Sequence, residues 1–173
     1  MNRIVLITGG ARSGKSHHAI ELSSWATEKA FIATAEPTDE EMHNRIEQHR
    51  AERGNDFRTL EEPLDLAAAI SSLRPDTQIA VVDCLTVWLG NLMHHRSIED
   101  YLCPEVTSFL SAIKESPCEL VIVSNELGMG LVPEGEMGRR FRDLAGRVNQ
   151  EVARIANKVV FMVSGIPVVI KEG

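Results

Sequence analysis

Residues 4–16, IVLITGGARSGKS, join a short β-branched run to a glycine-rich turn and a lysine–serine pair. The spacing G-x-x-x-x-G-K-[ST] is met by Gly9, Gly14, Lys15 and Ser16. In such a loop, glycines let successive backbone N–H groups turn inward around phosphate oxygens, and the following helix presents its positive end. A lysine at this position neutralises β and γ phosphates, and the serine hydroxyl reaches Mg²⁺. An apolar strand before the loop and a helical pattern after it supply the context that a chance glycine-rich turn lacks.

Outward from this loop, short β-branched runs alternate with amphipathic stretches, the pattern of parallel βαβ units in an α/β fold. Strands are expected at residues 4–8, 30–34, 57–60, 79–82, 120–123, 159–163 and 167–170. Helices are expected at 15–26, 38–53, 63–73, 85–95, 98–115 and 134–156. Thr38 and Glu41 have the T-x-x-E spacing of a capping box at the start of the second helix. No repeat, low-complexity tract or linker divides the chain, so residues 1–173 are expected to form a single domain.

The 173 residues are 43% hydrophobic and 25% charged, with a formal net charge of −7. This balance gives no reason to expect nucleic acid or an anionic membrane as partner. The apolar runs are far shorter than the roughly 20 residues that span a bilayer, and the N-terminus does not read as a signal peptide. Cys84, Cys103 and Cys118 form no CxxC pair, which favours reduced thiols and a cytoplasmic setting.

A phosphate loop needs a second acidic group at a neighbouring strand end to hold the metal or its waters. Asp83, which follows the apolar run Ile79-Ala80-Val81-Val82, fits, and it also fits a helix N-cap for the segment beginning at Leu85. In the second helix Met42, Ile46, His49 and Arg53 fall on one stripe about 60° wide, whereas His43 points away. His49, with Arg45, Arg50 and Arg53 nearby in sequence, reads equally as a phosphate-handling nucleophile or as a core histidine. Glu126, after the strand at 120–123, is a candidate for polarising an attacking hydroxyl. Met137, Phe141, Leu144, Val148 and Val152 read as a core-facing helix stripe. For Arg139, Arg140, Arg142 and Arg147, solvation is the simpler reading than phosphate binding. His94 and His95 are expected to be surface residues.

Taken together, TGGARSGKS, FIATAEPTDEEMHNRIEQHRAER, VDCLTVWLGNL, VSNELGMGLVPEGEMGRRFRDLAGRVNQEVA and VSGIPVVIK resemble one family across nearly the whole chain. It is the bifunctional adenosylcobinamide kinase/adenosylcobinamide-phosphate guanylyltransferase family of cobalamin biosynthesis. The resemblance implies a RecA-like P-loop fold, a mostly parallel sheet flanked by helices, and a trimer. It implies phosphorylation of adenosylcobinamide by ATP or GTP with Mg²⁺. Transfer of GMP from GTP to adenosylcobinamide phosphate follows, through a GMP–histidine intermediate that falls on His49. Nucleotide contacts fall by the same resemblance on Gly9, Gly10, Ala11, Arg12, Ser13, Gly14, Lys15 and Ser16, and on Ala33, Thr34 and Ala35. They fall also on Arg50, Ala51, Glu52 and Arg53, on Glu61, and on Asp83, with Ser16 and Asp83 at the metal and Lys15 catalytic beside His49. Two departures stand out: the family's V-P-E-N is Val132-Pro133-Glu134-Gly135 here, and Gly138 occupies a helical position often given to a better helix former.

Two other function classes bear on the same residues. A small-molecule P-loop kinase would use Lys15, Ser16 and Asp83 and have no need of His49. A guanine-specific switch protein would carry an N-K-x-D base-reading motif, and Ser124-Asn125-Glu126-Leu127 does not supply it.

Overall fold

A computed structural model describes the chain except Met1, Ser97, Glu99, Tyr101 and the side chains of Glu41, Arg45 and Glu52. Seven strands form one sheet: β1 (Ile4–Gly9), β2 (Lys29–Ala33), β3 (Phe57–Glu61), β4 (Ile79–Asp83), β5 (Glu119–Val123), β6 (Lys158–Val163) and β7 (Ile166–Glu172). The helices are α1 (Lys15–Leu22), α2 (Glu40–Arg53), α3 (Leu66–Ser71), α4 (Leu85–Arg96), α5 (Pro104–Lys114) and α6 (Glu136–Ile155). The strand order is β3-β2-β4-β5-β1-β6-β7. All neighbours are parallel except β6 and β7, which form an antiparallel hairpin through Ser164 and Gly165.

The period-2 alternation of each central strand divides two cores. Ile4 and Leu6 of β1, Ile32 of β2, Val82 of β4 and Ile122 of β5 face α3, α4, α5 and α6. Val5, Ile7, Phe31, Val81 and Val123 face the other way, against Ala19 of α1. Trp88 of α4 is fully buried, and its indole N–H donates to the Leu64 carbonyl at 2.8 Å, so a large apolar group enters the core without an orphaned donor.

Helix ends depart from the sequence expectations for local reasons. α1 stops at Leu22 rather than 26, where the Ser23 hydroxyl turns back to the Ala19 carbonyl at 2.8 Å. α2 is capped by Asp39, whose carboxylate accepts from the Met42 N–H at 2.7 Å, not by Thr38. The partner expected for Thr38, the Glu41 side chain, lies outside the described residues. Asp65 caps α3 through the Ala68 N–H and shortens the helix expected at 63–73. The helix expected at 98–115 begins only at Pro104, a residue suited to the first turn, where no N–H is needed. Residues 99 and 101 of that expectation fall outside the described residues.

α2 is a polar helix that crosses from the end of β2 to the start of β3. Among its described side chains only Arg53 is buried; Met42 and Ile46 are half-buried. Arg53 lies over the Phe31 ring, its guanidinium carbon 4.1 Å from the centroid, and so fastens the end of the helix to β2. Among the described residues no helix is long and apolar enough to cross a membrane.

Candidate functional site at the carboxyl edge of the sheet

The glycine-rich loop leaves the end of β1 with Gly9 at φ 149°, a conformation L side chains rarely adopt. A Cβ at Gly9 would also lie 2.6 Å from the Met162 carbonyl oxygen of neighbouring β6, so both backbone and packing require glycine there. Gly14, at φ 93°, opens α1 with no side-chain cap, and no acidic residue occupies the first turn. The helix therefore keeps its N-terminal N–H groups and positive dipole end for an external anion. The Gly165 N–H of the β6–β7 turn donates to the Ser13 carbonyl at 3.1 Å and braces the loop from outside. Ser13 Oγ is a buried hydroxyl without a protein partner, facing the interior of the turn region.

Lys15 is buried, and its ammonium donates to the Gly10 carbonyl at 2.5 Å. Burial lowers its pKa, opposed by the neighbouring Cys84 and Asp83. Asp83 stands at the end of β4, beside Ser16 and Lys15 of the phosphate loop. Burial raises the Asp83 carboxyl above the usual carboxylate range, against the Ser16 hydroxyl and the charges of His49, Lys15 and Arg53.

Strand register assembles the other side of the site. Ala33 of β2 stands opposite Asp83 of β4 on one side and Glu61 of β3 on the other. Thr34 then locks the strand ends together. Its N–H donates to the Asp83 carbonyl at 3.2 Å, and its hydroxyl donates to the Cys84 carbonyl at 2.9 Å while accepting from the Cys84 N–H at 2.8 Å. Beyond β3, Arg50, Arg53, Gly54, Asn55, Phe57, Thr59 and Glu61 line an open cleft of about 400 Å³. Arg50 bridges Glu47 of its own helix and Glu61 of β3, and these hydrogen bonds raise its pKa.

The sequence-selected residues therefore form two adjoining groups. One is the loop of residues 9–16 with Asp83 and, at the neighbouring strand end, Ala33 and Thr34; the other is Arg50, Arg53 and Glu61 lining the cleft. Gly10, Ala11, Arg12 and Ala51 are exposed, Ala35 is half-buried, and Glu52 has no described side chain. His49 is not the core histidine of the second sequence reading. Its side chain is exposed, because α2 buries only its Arg53 end and leaves this part of the stripe open. It nonetheless stands near enough to act electrostatically on Asp83 from the solvent side. Arg45, expected beside it, lies outside the described side chains.

Further along the chain, Leu144, Val148 and Val152 are buried as expected, whereas Met137 is 75% exposed. Arg139 donates to the Pro133 and Glu134 carbonyls, and Arg142 pairs with Asp143. Gly138 is not a loose point in α6: a Cβ there would lie 2.8 Å from the Pro133 Cβ. His95 is exposed, but its Nε2 donates to the Glu36 carboxylate at 2.8 Å, joining α4 to the segment before α2. Sequence reasoning passed over Asn91, whose amide donates to the Thr34 carbonyl at 2.7 Å, and Thr86, whose hydroxyl accepts from the Asn125 N–H at 2.8 Å. The available signal was polarity inside VDCLTVWLGNL, whose helical part is otherwise buried at Leu85, Trp88, Leu89 and Leu92.

A mostly parallel sheet with a glycine-rich loop opening α1 and an acidic residue ending a nearby strand defines a P-loop nucleoside-triphosphatase fold. A solved RadB recombinase shares that fold at a TM-score of 0.54 and 13% identity, over 92% of this chain and 73% of that one. Residues 5–170 match the family described as cobinamide kinase/cobinamide phosphate guanyltransferase, and the chain belongs to that family. It is 44% identical over 167 residues to the bifunctional adenosylcobalamin biosynthesis protein CobP of Pseudomonas aeruginosa, covering 96% of each chain. It is 39% identical over 180 residues to the bifunctional adenosylcobalamin biosynthesis protein CobU of Escherichia coli K12, covering 97% of this chain and 99% of that one.

Proposed function

We propose that this protein is a two-step enzyme of adenosylcobalamin biosynthesis, first a kinase for adenosylcobinamide and then a guanylyltransferase for its phosphate. The observation that carries the reading is the meeting of Lys15, Ser16 and Asp83 at the sheet edge with His49 acting on the same carboxylate. Family membership supplies the substrate class.

In the first step the aminopropanol oxygen of adenosylcobinamide attacks the γ-phosphorus of ATP or GTP. The bond to the β–γ bridging oxygen breaks, the nucleoside diphosphate leaves, and Glu126 takes the hydroxyl proton. Glu126 suits this role because its N–H donates to the Gly9 carbonyl at 3.0 Å, which ties it to the phosphate loop. The loop N–H groups and Lys15 bear the charge of the transferring phosphoryl group. Ser16 and Asp83 are two hard oxygen donors beside the phosphate loop, a fit for Mg²⁺, and would hold it there. When bound, Mg²⁺ supplies charge neutralisation at the phosphates.

In the second step an imidazole nitrogen of His49 attacks the α-phosphorus of GTP and pyrophosphate leaves. A phosphate oxygen of adenosylcobinamide phosphate then attacks the phosphoramidate, giving adenosylcobinamide-GDP and free imidazole. The covalent intermediate divides one transfer into two displacements. Arg50 and Arg53 lie on the same helix and line the neighbouring cleft, where they suit a nucleotide's phosphates or base. The exposed apolar edge of β7 (Ile166, Val168 and Ile170) supports a homo-oligomer, a trimer by family resemblance, and a cytoplasmic setting accords with the three free cysteines.

The test is chromatography of corrinoid products. Adenosylcobinamide with ATP alone is expected to give only its phosphate, and added GTP to give adenosylcobinamide-GDP with release of pyrophosphate. No corrinoid product under either condition contradicts the reading.

A further inference from the structure

The loop between β5 and α6 begins and ends under tight control. At its start the Asn125 N–H donates to Thr86 Oγ1 at 2.8 Å, Asn149 donates to the Asn125 carbonyl at 3.1 Å, and Glu126 is bonded to Gly9. At its end Arg139 holds the Pro133 carbonyl at 3.1 Å, and Gly138 admits the Pro133 ring close against α6. Between these anchors the apolar side chains are turned outward. Met129 is 76% exposed, Leu131 96%, Val132 66%, and Met137 just inside α6 is 75% exposed. Anchoring of both ends makes these four side chains unnecessary for holding the loop, and exposing them carries a solvation cost.

We propose that Met129, Leu131, Val132 and Met137 form the seat of the corrinoid ring. The inference rests on the function proposed above and adds where the large substrate docks. Three observations support that occupant. The patch adjoins the phosphate loop through the Glu126–Gly9 hydrogen bond, so a substrate resting on it can extend a hydroxyl towards the triphosphate. A corrin macrocycle with its adenosyl group is too broad to enter the cleft of about 400 Å³ beside α2 and must lie on a surface adjoining the loop. The ligand is a cation at cobalt with hydrocarbon edges, and Met129, Leu131 and Val132 lie between Glu126 and Glu134, with Glu136 before Met137 and Arg139 and Arg140 after it, in a chain of net charge −7. Methionine side chains also adapt to an irregular edge of methyls and carboxamides.

The experiment titrates the full-length protein with adenosylcobinamide by its visible absorbance, with kinase kinetics and light scattering on the same samples. The wild type is compared with Leu131→Ser, the pair Met129→Ser/Leu131→Ser, and Leu131→Met. The serine variants are expected to weaken corrinoid binding about tenfold or more. Their KM for GTP and subunit number should stay at wild-type values, and Leu131→Met should bind within about twofold. Unchanged corrinoid affinity in the serine variants overturns the assignment. So does a fall in subunit number that tracks the loss, which would make the patch a contact between copies of this chain. Failure of the wild type to bind adenosylcobinamide, while it still takes label from GTP, would instead overturn the substrate reading on which the assignment stands.

Discussion

Ser16 in the first turn of α1 faces Asp83 at the end of β4, with β5 between their strands, and its hydroxyl holds the Asp83 pKa down. The pairing sets an acid at the mouth of the phosphate loop, beside Lys15 and within the field of His49 and Arg53. It gives the site one shared electrostatic centre, and that centre is open to test by substitution and by pH.

Asp83→Asn and Ser16→Ala are each expected to lower kinase turnover on the order of 10²-fold by removing metal and charge support from the transferring phosphoryl group. The stability of the nucleotide-free, chelator-treated protein should move the other way for Asp83→Asn. Burial raises the folded pKa of Asp83, so its contribution is complete below the unfolded value near about 4 and is lost as pH rises through the folded value. The Tm of Asp83→Asn relative to wild type should therefore be more favourable at pH 8 than at pH 4. A difference that is flat or reversed across that range contradicts the burial.

Gly138→Ala sets two magnitudes against each other. Alanine gains about 0.5–1 kcal/mol of helix propensity, whereas a Cβ placed 2.8 Å from the Pro133 Cβ forces a displacement costing about 1–3 kcal/mol. The variant should be destabilised by about 0.5–2 kcal/mol in thermal unfolding. Limited proteolysis within residues 126–135 should also become faster. A stabilised variant with unchanged cleavage would show that Pro133 does not depend on that space.

Burial and the adjacent Asp83 push the Cys84 thiol up to about 12. At pH 8 only about one molecule in 10⁴ carries the thiolate, so alkylation by iodoacetamide should be about 10³-fold slower than for a free cysteine. The rate should rise about tenfold per pH unit. Peptide mass spectrometry after timed quenching reads it out. Labelling of Cys84 as fast as a model thiol at pH 8 would mean that the strand end is open to solvent.

The phosphate loop, the sheet and the acidic strand end were legible because each rests on local rules: glycine conformations, period-2 apolar runs, and the placement of ligands at the carboxyl ends of parallel strands. Helix ends were less legible. The cap at Asp39 and the stop at Ser23 depend on which of several polar neighbours wins a hydrogen bond, a contest decided by tertiary context. His49 shows the limit of periodicity. A helical stripe predicts one face, but α2 is held at the sheet edge by Arg53 on Phe31, so the same stripe runs from buried to exposed within one turn. Met137 failed for a related reason, since it lies in the first turn of α6, beyond the reach of the core that receives Leu144 and Val148. Asn91 and Thr86 act on segments distant in sequence, and no local pattern announces such partners.

The most direct test of the account is intact and peptide mass spectrometry of the protein after incubation with GTP and Mg²⁺ without corrinoid. The prediction is one added GMP on His49, stable in alkali, labile in acid, absent in His49→Ala, and discharged by adenosylcobinamide phosphate. No adduct, or an adduct that persists in His49→Ala, would contradict the covalent guanylyl transfer at the centre of the proposal.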